Sequence, residues 1–279
     1  MARLATSIEW PATQIEAADE RVPAPLELEA FFQSVAATDE SALLLDFDGT
    51  LAPFRVDPFK VRPWAGVAEL LDEIQQTRRT RLAIVTGRPA LDVASQLNMR
   101  NTPEIWGLHG AERLYPDGRF EQEELVDDEQ ALLADARSTV CEAHLGVRVE
   151  EKRNAVVVHW RGKSPRSIQA VRLRALTLLD RYADQAGLKL LQFDGGLELR
   201  AGRNKGDAVR TILAEIPSLA PVVYLGDDAT DEDAFEALAG RGLAVLVRRE
   251  WRPGAAAIWL RPPAQLREFL NAWLHAIRA

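Results

Sequence analysis

The chain is 279 residues long, 47% apolar and 27% charged, an ordinary globular composition with length for about two domains. Lys and Arg number 34 against 42 Asp and Glu, and the resulting net charge of −8 excludes a nucleic-acid partner gripped by the overall field. An anionic substrate would therefore need a local cluster of cations or a metal. The lone cysteine, Cys141, excludes an intrachain disulfide framework and fits a reducing, cytoplasmic setting. Residues 1–24, with Pro11, Pro23 and scattered charges, read as a loosely ordered lead-in. Glu9 and Glu16 interrupt the apolar core a leader would need, and no window reaches ~18 consecutive apolar residues, so no membrane partner is expected.

A short helix is expected over Leu26–Ala37. The apolar run Ser41–Phe47 reads as a parallel strand covered on both faces. An amphipathic helix over Pro63–Thr77, a strand over Thr80–Thr86, a helix over Leu91–Leu97 and a strand over Glu104–Leu108 continue an alternation that predicts a parallel α/β sheet. Near Tyr115 the pattern changes. A helix over Glu123–Leu145, strands over Arg148–Lys152 and Ala155–Arg161, a helix over Ser164–Ala186 and a hairpin around Asp194–Gly195–Gly196 spell αββαββ. The alternation resumes with a helix over Lys205–Ile216, the strand Val222–Leu225, a helix over Asp231–Leu238, the strand Leu243–Val247, an edge strand at Ile258–Leu260 and a closing helix over Pro263–Ile277. The fold class is thus α/β, a Rossmann-like parallel-sheet core interrupted by an α+β insertion. The expected division is a lead-in over 1–38, a core over 39–115 and 201–279, and an inserted unit over 116–200.

Asp46-Phe47-Asp48-Gly49-Thr50 follows the first strand, at the strand end where α/β proteins place ligands. Carboxylates at i and i+2 on extended chain share a side, and Gly49 exposes backbone N–H groups to an anion. A strand-ending turn would explain Asp48-Gly49 alone; two acids without a neighbouring cation point instead to a metal. In Asp227-Asp228-Ala229-Thr230-Asp231-Glu232-Asp233, helix capping accounts for Glu232 and Asp233 but not for Asp227 and Asp228 at the strand end. Thr86-Gly87-Arg88 closes the second strand with a hydroxyl for an anion. Lys205 opens a helix whose dipole disfavours it, unless it faces an anion. His144 and His275 read as helix-surface residues, Cys141 as a small buried hydrophobe, and Trp106 as a candidate sugar platform.

In this order, Asp46-x-Asp48-Gly-Thr, Thr86, Lys205 and Gly226-Asp227-Asp228 resemble the haloacid dehalogenase-like phosphatases. The segments Gly107-Leu108-His109-Gly110-Ala111-Glu112, Glu150-Glu151-Lys152, His159-Trp160-Arg161, Glu198-Leu199-Arg200 and Gly226–Glu232 are similar to trehalose-6-phosphate phosphatases within that superfamily. The resemblance makes the insertion a cap and implies hydrolysis of trehalose 6-phosphate to trehalose and phosphate. It implies Asp46 as nucleophile, Asp48 as general acid and base, and Thr86 and Lys205 as phosphoryl ligands. Mg²⁺ would be held by Asp46, the Asp48 carbonyl and Asp227, with Asp228 and Asp231 supporting. Arg88, His109, Glu112, Glu151, Lys152 and Glu198 would be sugar contacts. A trehalose-6-phosphate synthase would be the pathway neighbour. Ala201 and Trp160 depart from the family's usual Pro and Tyr. Alternatives are another sugar phosphate (sucrose, glucosylglycerol or mannosylglycerate phosphate), phosphomutase chemistry, or a catalytically silent binding module.

Overall fold

A computed structural model describes residues 25–55 and 57–279, and the lead-in expected over 1–24 lies outside those residues. The chain enters through α1 (Pro25–Ala36) into β1 (Ser41–Leu45), followed by α2 (Val67–Thr77), β2 (Thr80–Val85), α3 (Ala90–Gln96), β3 (Glu104–Gly107), β4 (Glu112–Leu114) and β5 (Phe120–Gln122). The excursion α4 (Asp127–Glu142), β6 (Arg148–Lys152), β7 (Ala155–His159), α5 (Pro165–Leu179), β8 (Lys189–Phe193) and β9 (Gly196–Arg200) comes next. The chain then returns through α6 (Lys205–Glu215), β10 (Val222–Gly226), α7 (Glu232–Ala237), β11 (Leu243–Val247), β12 (Ile258–Leu260) and α8 (Ala264–Arg278).

Eight strands form one sheet in the order β12-β11-β10-β1-β2-β3-β4-β5, parallel from β12 to β3 and antiparallel across β4 and β5. Apolar strands belong here because both faces are covered. Leu43 and Leu45 of β1 pack with Phe269 and Trp273 of α8 on one face. Ala42 and Leu44 face Val209 and Ile212 of α6 and Phe235 of α7 on the other. A second, antiparallel sheet runs β6-β7-β9-β8. Its Val156, Val158, Leu197 and Leu199 pack on Leu133, Ala136 and Val140 of α4 and on Ala175 and Leu179 of α5. The opposite face of this sheet is left for the cleft.

Several expected boundaries move for local reasons. Helix α2 starts at Val67 rather than Pro63, because Gly66 takes a left-handed conformation (φ 84°) that ends the preceding turn. The β4–β5 hairpin, turning at Asp117-Gly118, was not expected: strands of three residues carry too little alternation to read. It keeps the chain on the large sheet as far as Gln122. Helix α4 begins at Asp127, where the Glu129 carboxylate accepts from the Val126 N–H at 3.0 Å, and it ends at Glu142. His144 therefore lies beyond the helix, with φ 45°. Cys141 is exposed, not buried, since it falls on the solvent side of α4 opposite Leu133, Ala136 and Val140. Beyond Leu179, α5 gives way to two short 3₁₀ turns rather than continuing to Ala186.

Candidate functional site

The ends of β1, β2 and β10 and the start of α6 meet beneath the antiparallel sheet and enclose a cleft of about 780 Å³. At its floor, Lys205 Nζ donates to Asp46 Oδ1 and to Asp231 Oδ1, both at 2.7 Å. Lys205 is the first residue of α6, which Asn204 caps through a reciprocal bond with Asp207. A buried cation is unfavourable at this helix end, and the two carboxylates offset that cost. Burial opposes the charge on Lys205, yet Asp231 and Asp46 hold its pKa above the ordinary lysine value. Burial pushes Asp46 up to about 7 against the pull of Lys205.

Asp231 braces the loop. Its Oδ1 also accepts from the Tyr224 hydroxyl at 2.7 Å, and its Oδ2 accepts from the backbone N–H groups of Asp227 and Asp228 at 3.0 Å each. Asp227 differs: among the described residues its carboxylate has no hydrogen-bond donor, and it lies so close to the turn at Gly49 that a Cβ there would come within 2.1 Å of Oδ2. Burial, then Asp46, Asp231 and Asp228, raise the Asp227 pKa well above the carboxylate range. Oxygens of Asp46, Asp227 and Asp231 lie within 4.8 Å of one another, a buried cluster with one lysine for three acids. Hard oxygen donors with excess negative charge fit a hard divalent cation. Asp228 is not part of this cluster: its Oδ1 accepts from Ala229 N–H at 2.7 Å and its Oδ2 from Asp194 N–H at 3.2 Å.

Above the floor, both oxygens of Asp48 are engaged by Arg88, Nε at 2.5 Å and Nη2 at 2.7 Å. Thr86 is buried at the cleft wall, its hydroxyl accepting from the Arg88 N–H at 3.2 Å. The roof is one face of the antiparallel sheet, where Glu150, Val157 and Glu198 stand in register. Glu198 is fully buried. Lys152 Nζ donates to its Oε1 at 3.0 Å, and His109 Nε2 lies 3.1 Å from its Oε2. Burial pushes His109 down to about 4, so at neutral pH it is an uncharged donor from the core. Burial would raise Glu198, but Lys152, His109 and Arg200 acting together outweigh it and hold that carboxyl well below its ordinary value. Gly87 is required beneath the imidazole, since a Cβ would come within 2.6 Å of His109 Nε2.

Asp46, Asp48, Thr86, Arg88, His109, Lys152, Glu198, Lys205, Asp227 and Asp228 line the cleft. Three expectations are corrected. Glu151 points away from the cleft and pairs with Arg137 of α4 at 2.8 Å, because neighbouring strand residues face opposite sides. Glu150, which alternation places beside Lys152, faces the cleft and hydrogen-bonds His159 at 2.6 Å, an interaction that lowers its pKa to about 2. Glu112 is buried away from the cleft and accepts from the Ala90 N–H at 2.7 Å, anchoring α3. Trp106 is no sugar platform: it is core, its Nε1 donates to Glu104 at 2.9 Å, and Arg113 stacks on it. The structure adds Phe54, Arg148, His159, Arg161, Lys163 and Phe193 to the cleft lining. Residues 148, 150 and 152 of β6 recur with a period of two, and the same alternation along β7 places His159 on the cleft face, whereas Arg161 and Lys163 lie in the turn after β7 and carry no such signal.

The model of the family described as trehalose-phosphatase matches residues 44–251, which contain the whole of this arrangement. The chain belongs to the trehalose-phosphatase family. Two curated relatives described as trehalose-phosphate phosphatase come from Mycobacterium marinum, 34% identical over 247 residues, and Mycobacterium ulcerans, 32% identical over 246. Each alignment covers 82% of this chain, which spans only about 60% of the relatives' length. A solved structure described as a trehalose-6-phosphate phosphatase related protein is 26% identical, with a TM-score of 0.62, and covers 85% of this chain and 97% of its own. The C-terminal domain of Candida albicans trehalose-6-phosphate phosphatase shares the fold, with a TM-score of 0.78 at 19% identity over 94% of this chain and 99% of its own. A regulatory protein of Candida albicans trehalose synthase has a C-terminal domain of the same fold, with a TM-score of 0.66 at 14% identity over 91% of this chain and 100% of its own. Catalytic competence in this trehalose-phosphatase family member therefore has to be argued from its own cleft residues. Among the described residues no helix is long and apolar enough to cross a membrane.

Proposed function

We propose that the chain hydrolyses trehalose 6-phosphate to trehalose and phosphate. The observation that carries this reading is the buried Asp46–Lys205–Asp231 chain beside the donorless Asp227 carboxylate, at the floor of a cleft whose roof is polar. Asp46 attacks phosphorus while Thr86 and Lys205 hold phosphoryl oxygens. Asp48 protonates the departing sugar oxygen, then takes a proton from the water that cleaves the aspartyl-phosphate. Mg²⁺ fits the donor set. Asp46, the Asp48 carbonyl and Asp227 would hold it, Asp231 would brace that loop, and Asp228 would support it from the adjoining turn. When bound, the ion supplies positive charge against the phosphoryl oxygens.

The roof favours a polyhydroxylated ligand. Glu150, Lys152, His159 and Glu198 present charged and polar groups that make charge-assisted bonds to hydroxyls. Such a site rejects a substrate lacking those hydroxyls, because its own groups are then left unpaired. We take the lead-in as 1–38, the core as 39–122 and 201–279, and the cap as 123–200. The cytoplasm is the compartment that suits the exposed thiol of Cys141. A trehalose-6-phosphate synthase is the natural supplier of the substrate.

The test is phosphate release from trehalose 6-phosphate, glucose 6-phosphate, and sucrose, glucosylglycerol and mannosylglycerate phosphates, with Mg²⁺ and with chelator. The expected result is Mg²⁺-dependent release with a kcat/KM at least tenfold higher for trehalose 6-phosphate. Equal efficiency across the sugars removes the case for trehalose, and release in excess chelator removes the metal.

A further inference from the structure

The guanidinium of Arg88 touches neither the cleft floor nor the roof sheet. It is held on four sides: Nε and Nη2 donate to the two oxygens of Asp48 at 2.5 and 2.7 Å, and Nη1 donates to the Pro58 carbonyl at 2.6 Å and to Gln96 Oε1 at 3.2 Å. Gln96 Nε2 in turn donates to the same Pro58 carbonyl at 3.2 Å, and the guanidinium carbon lies 5.7 Å from the centre of the Phe47 ring. Every guanidinium nitrogen already has an acceptor. A side chain clamped in this way is a poor arm for reaching a sugar, and a planar fork on one carboxylate fixes the orientation of that carboxylate.

We propose that Arg88 is a positioning residue for Asp48, aiming its carboxyl at the leaving oxygen rather than binding the sugar. The proposal rests on the phosphatase reading above. In the first step an Asp46 oxygen bonds to phosphorus, and the bond from phosphorus to the ester oxygen breaks with its electron pair passing to that oxygen. Asp48 takes up a proton from solvent on a lone pair that the Arg88 fork leaves free and passes it to that oxygen, making it an alcohol, and Arg88 holds the carboxylate left behind. Through Pro58 the same guanidinium ties Asp48 to the segment carrying Phe54 and Phe59 at the cleft mouth. Proton donation matters for an alkoxide leaving group and little for p-nitrophenolate, which departs as a stable anion.

The experiment compares wild type, Arg88→Lys and Arg88→Gln on trehalose 6-phosphate, propyl phosphate and p-nitrophenyl phosphate with Mg²⁺ present. It reads kcat/KM, which reports the steps up to transfer onto Asp46. Lysine keeps the charge and loses the fork. The expected result for both variants is a fall of tenfold or more on the two alkyl esters and less than threefold on the aryl ester. A loss confined to trehalose 6-phosphate makes Arg88 a sugar contact and overturns the proposal. An equal loss on all three, or no loss on any, overturns it as well. Where circular dichroism shows that either variant fails to fold, Gln96→Ala loosens the same clamp and must show the same alkyl-against-aryl split, its absence overturning the proposal. A wild type that cleaves propyl phosphate but not trehalose 6-phosphate removes the trehalose reading while the alkyl-against-aryl comparison still decides the role of Arg88. A wild type that cleaves none of the three overturns both.

Discussion

Replacing Lys205 by methionine would keep the volume of the cleft floor while removing the one cation that, among the described residues, touches Asp46 and Asp231, both 2.7 Å away. The lysine side chain is 3% exposed and the two carboxylates 5% and 0%, so water cannot take its place. Removing one partner of a buried pair costs about 3–5 kcal/mol. At roughly 2–4 °C per kcal/mol for a protein of this size, the melting temperature of the metal-free protein at pH 8 should fall by about 6–20 °C. The pH dependence has a definite sign. Burial pushes Asp46 up to about 7 even with the lysine present, and Asp227 well above the carboxylate range. Such groups bind protons more tightly folded than unfolded, so their stabilising contribution is present below the ordinary carboxylate range near 4 and is lost as pH rises through the folded-state value, about 7 for Asp46. Without the lysine both carboxyls move higher still, and at pH 5.5 protons stand in for the missing cation. The deficit relative to wild type should therefore shrink between pH 8 and pH 5.5, and millimolar Mg²⁺ at pH 8 should recover part of it. Scanning fluorimetry of the two proteins in chelator, at both pH values and then with Mg²⁺, measures this directly. A deficit of the same size at pH 5.5 and pH 8, or none at either, would show that the acidic floor is not held together by charge.

Asp46→Asn keeps the shape of the nucleophile and loses its attacking oxygen, so phosphate release should fall by about a thousandfold or more with the circular dichroism spectrum unchanged. Glu150→Ala should raise the KM for trehalose 6-phosphate by about 10- to 100-fold, the worth of a charge-assisted hydrogen bond, whereas Glu151→Ala should leave kcat/KM within about twofold. Steady-state kinetics on the two variants separates the faces of β6. Glu112→Leu should cost about 1–3 kcal/mol in urea unfolding by leaving the Ala90 N–H unpaired, with the KM for the sugar phosphate unchanged.

The core and its acidic floor were legible because their signals are local. A run such as Ser41–Leu45 has to be covered on both faces, and a carboxylate directly after such a strand emerges at the sheet edge where ligands bind. Lys205 could be singled out by its conflict with the helix dipole, and the pair that resolves the conflict lies 159 and 26 residues away. What local reading could not supply was the partner each polar group chooses. Glu112 and Glu151 look as suitable for a sugar as Glu150 and Glu198 do. One is spent on a helix N–H and the other on Arg137, and only packing decides that. For Glu151 the period-two rule already carried the answer, since Lys152 and its neighbour cannot share a face. For Arg88 no rule on one strand could reveal the clamp, because Asp48 is 40 residues away and Gln96 lies on the next helix.

The least legible contacts are those between core and cap, and they bear on chemistry. Asp194, at the tip of the β8–β9 turn, donates its N–H to Asp228 at 3.2 Å and accepts from Arg248 at 2.6 Å. Arg248 also donates to the Asp227 carbonyl at 3.2 Å, so one arginine touches both the cap and the backbone of the donorless carboxylate. On the other side of the cleft, Arg161 of the cap stacks 3.5 Å above the Phe54 ring of the core. His109, a core residue held at φ 60°, reaches Glu198 of the roof. Each of these contacts joins residues far apart in sequence, and each would break if the cap swung open. A group such as Glu198, with Lys152 from its own sheet and His109 from the core, is complete only when the two units are docked. On the reading proposed above, sugar recognition and docking of the two units are expected to be coupled, so a ligand that fails to satisfy the roof should also forgo the docking energy.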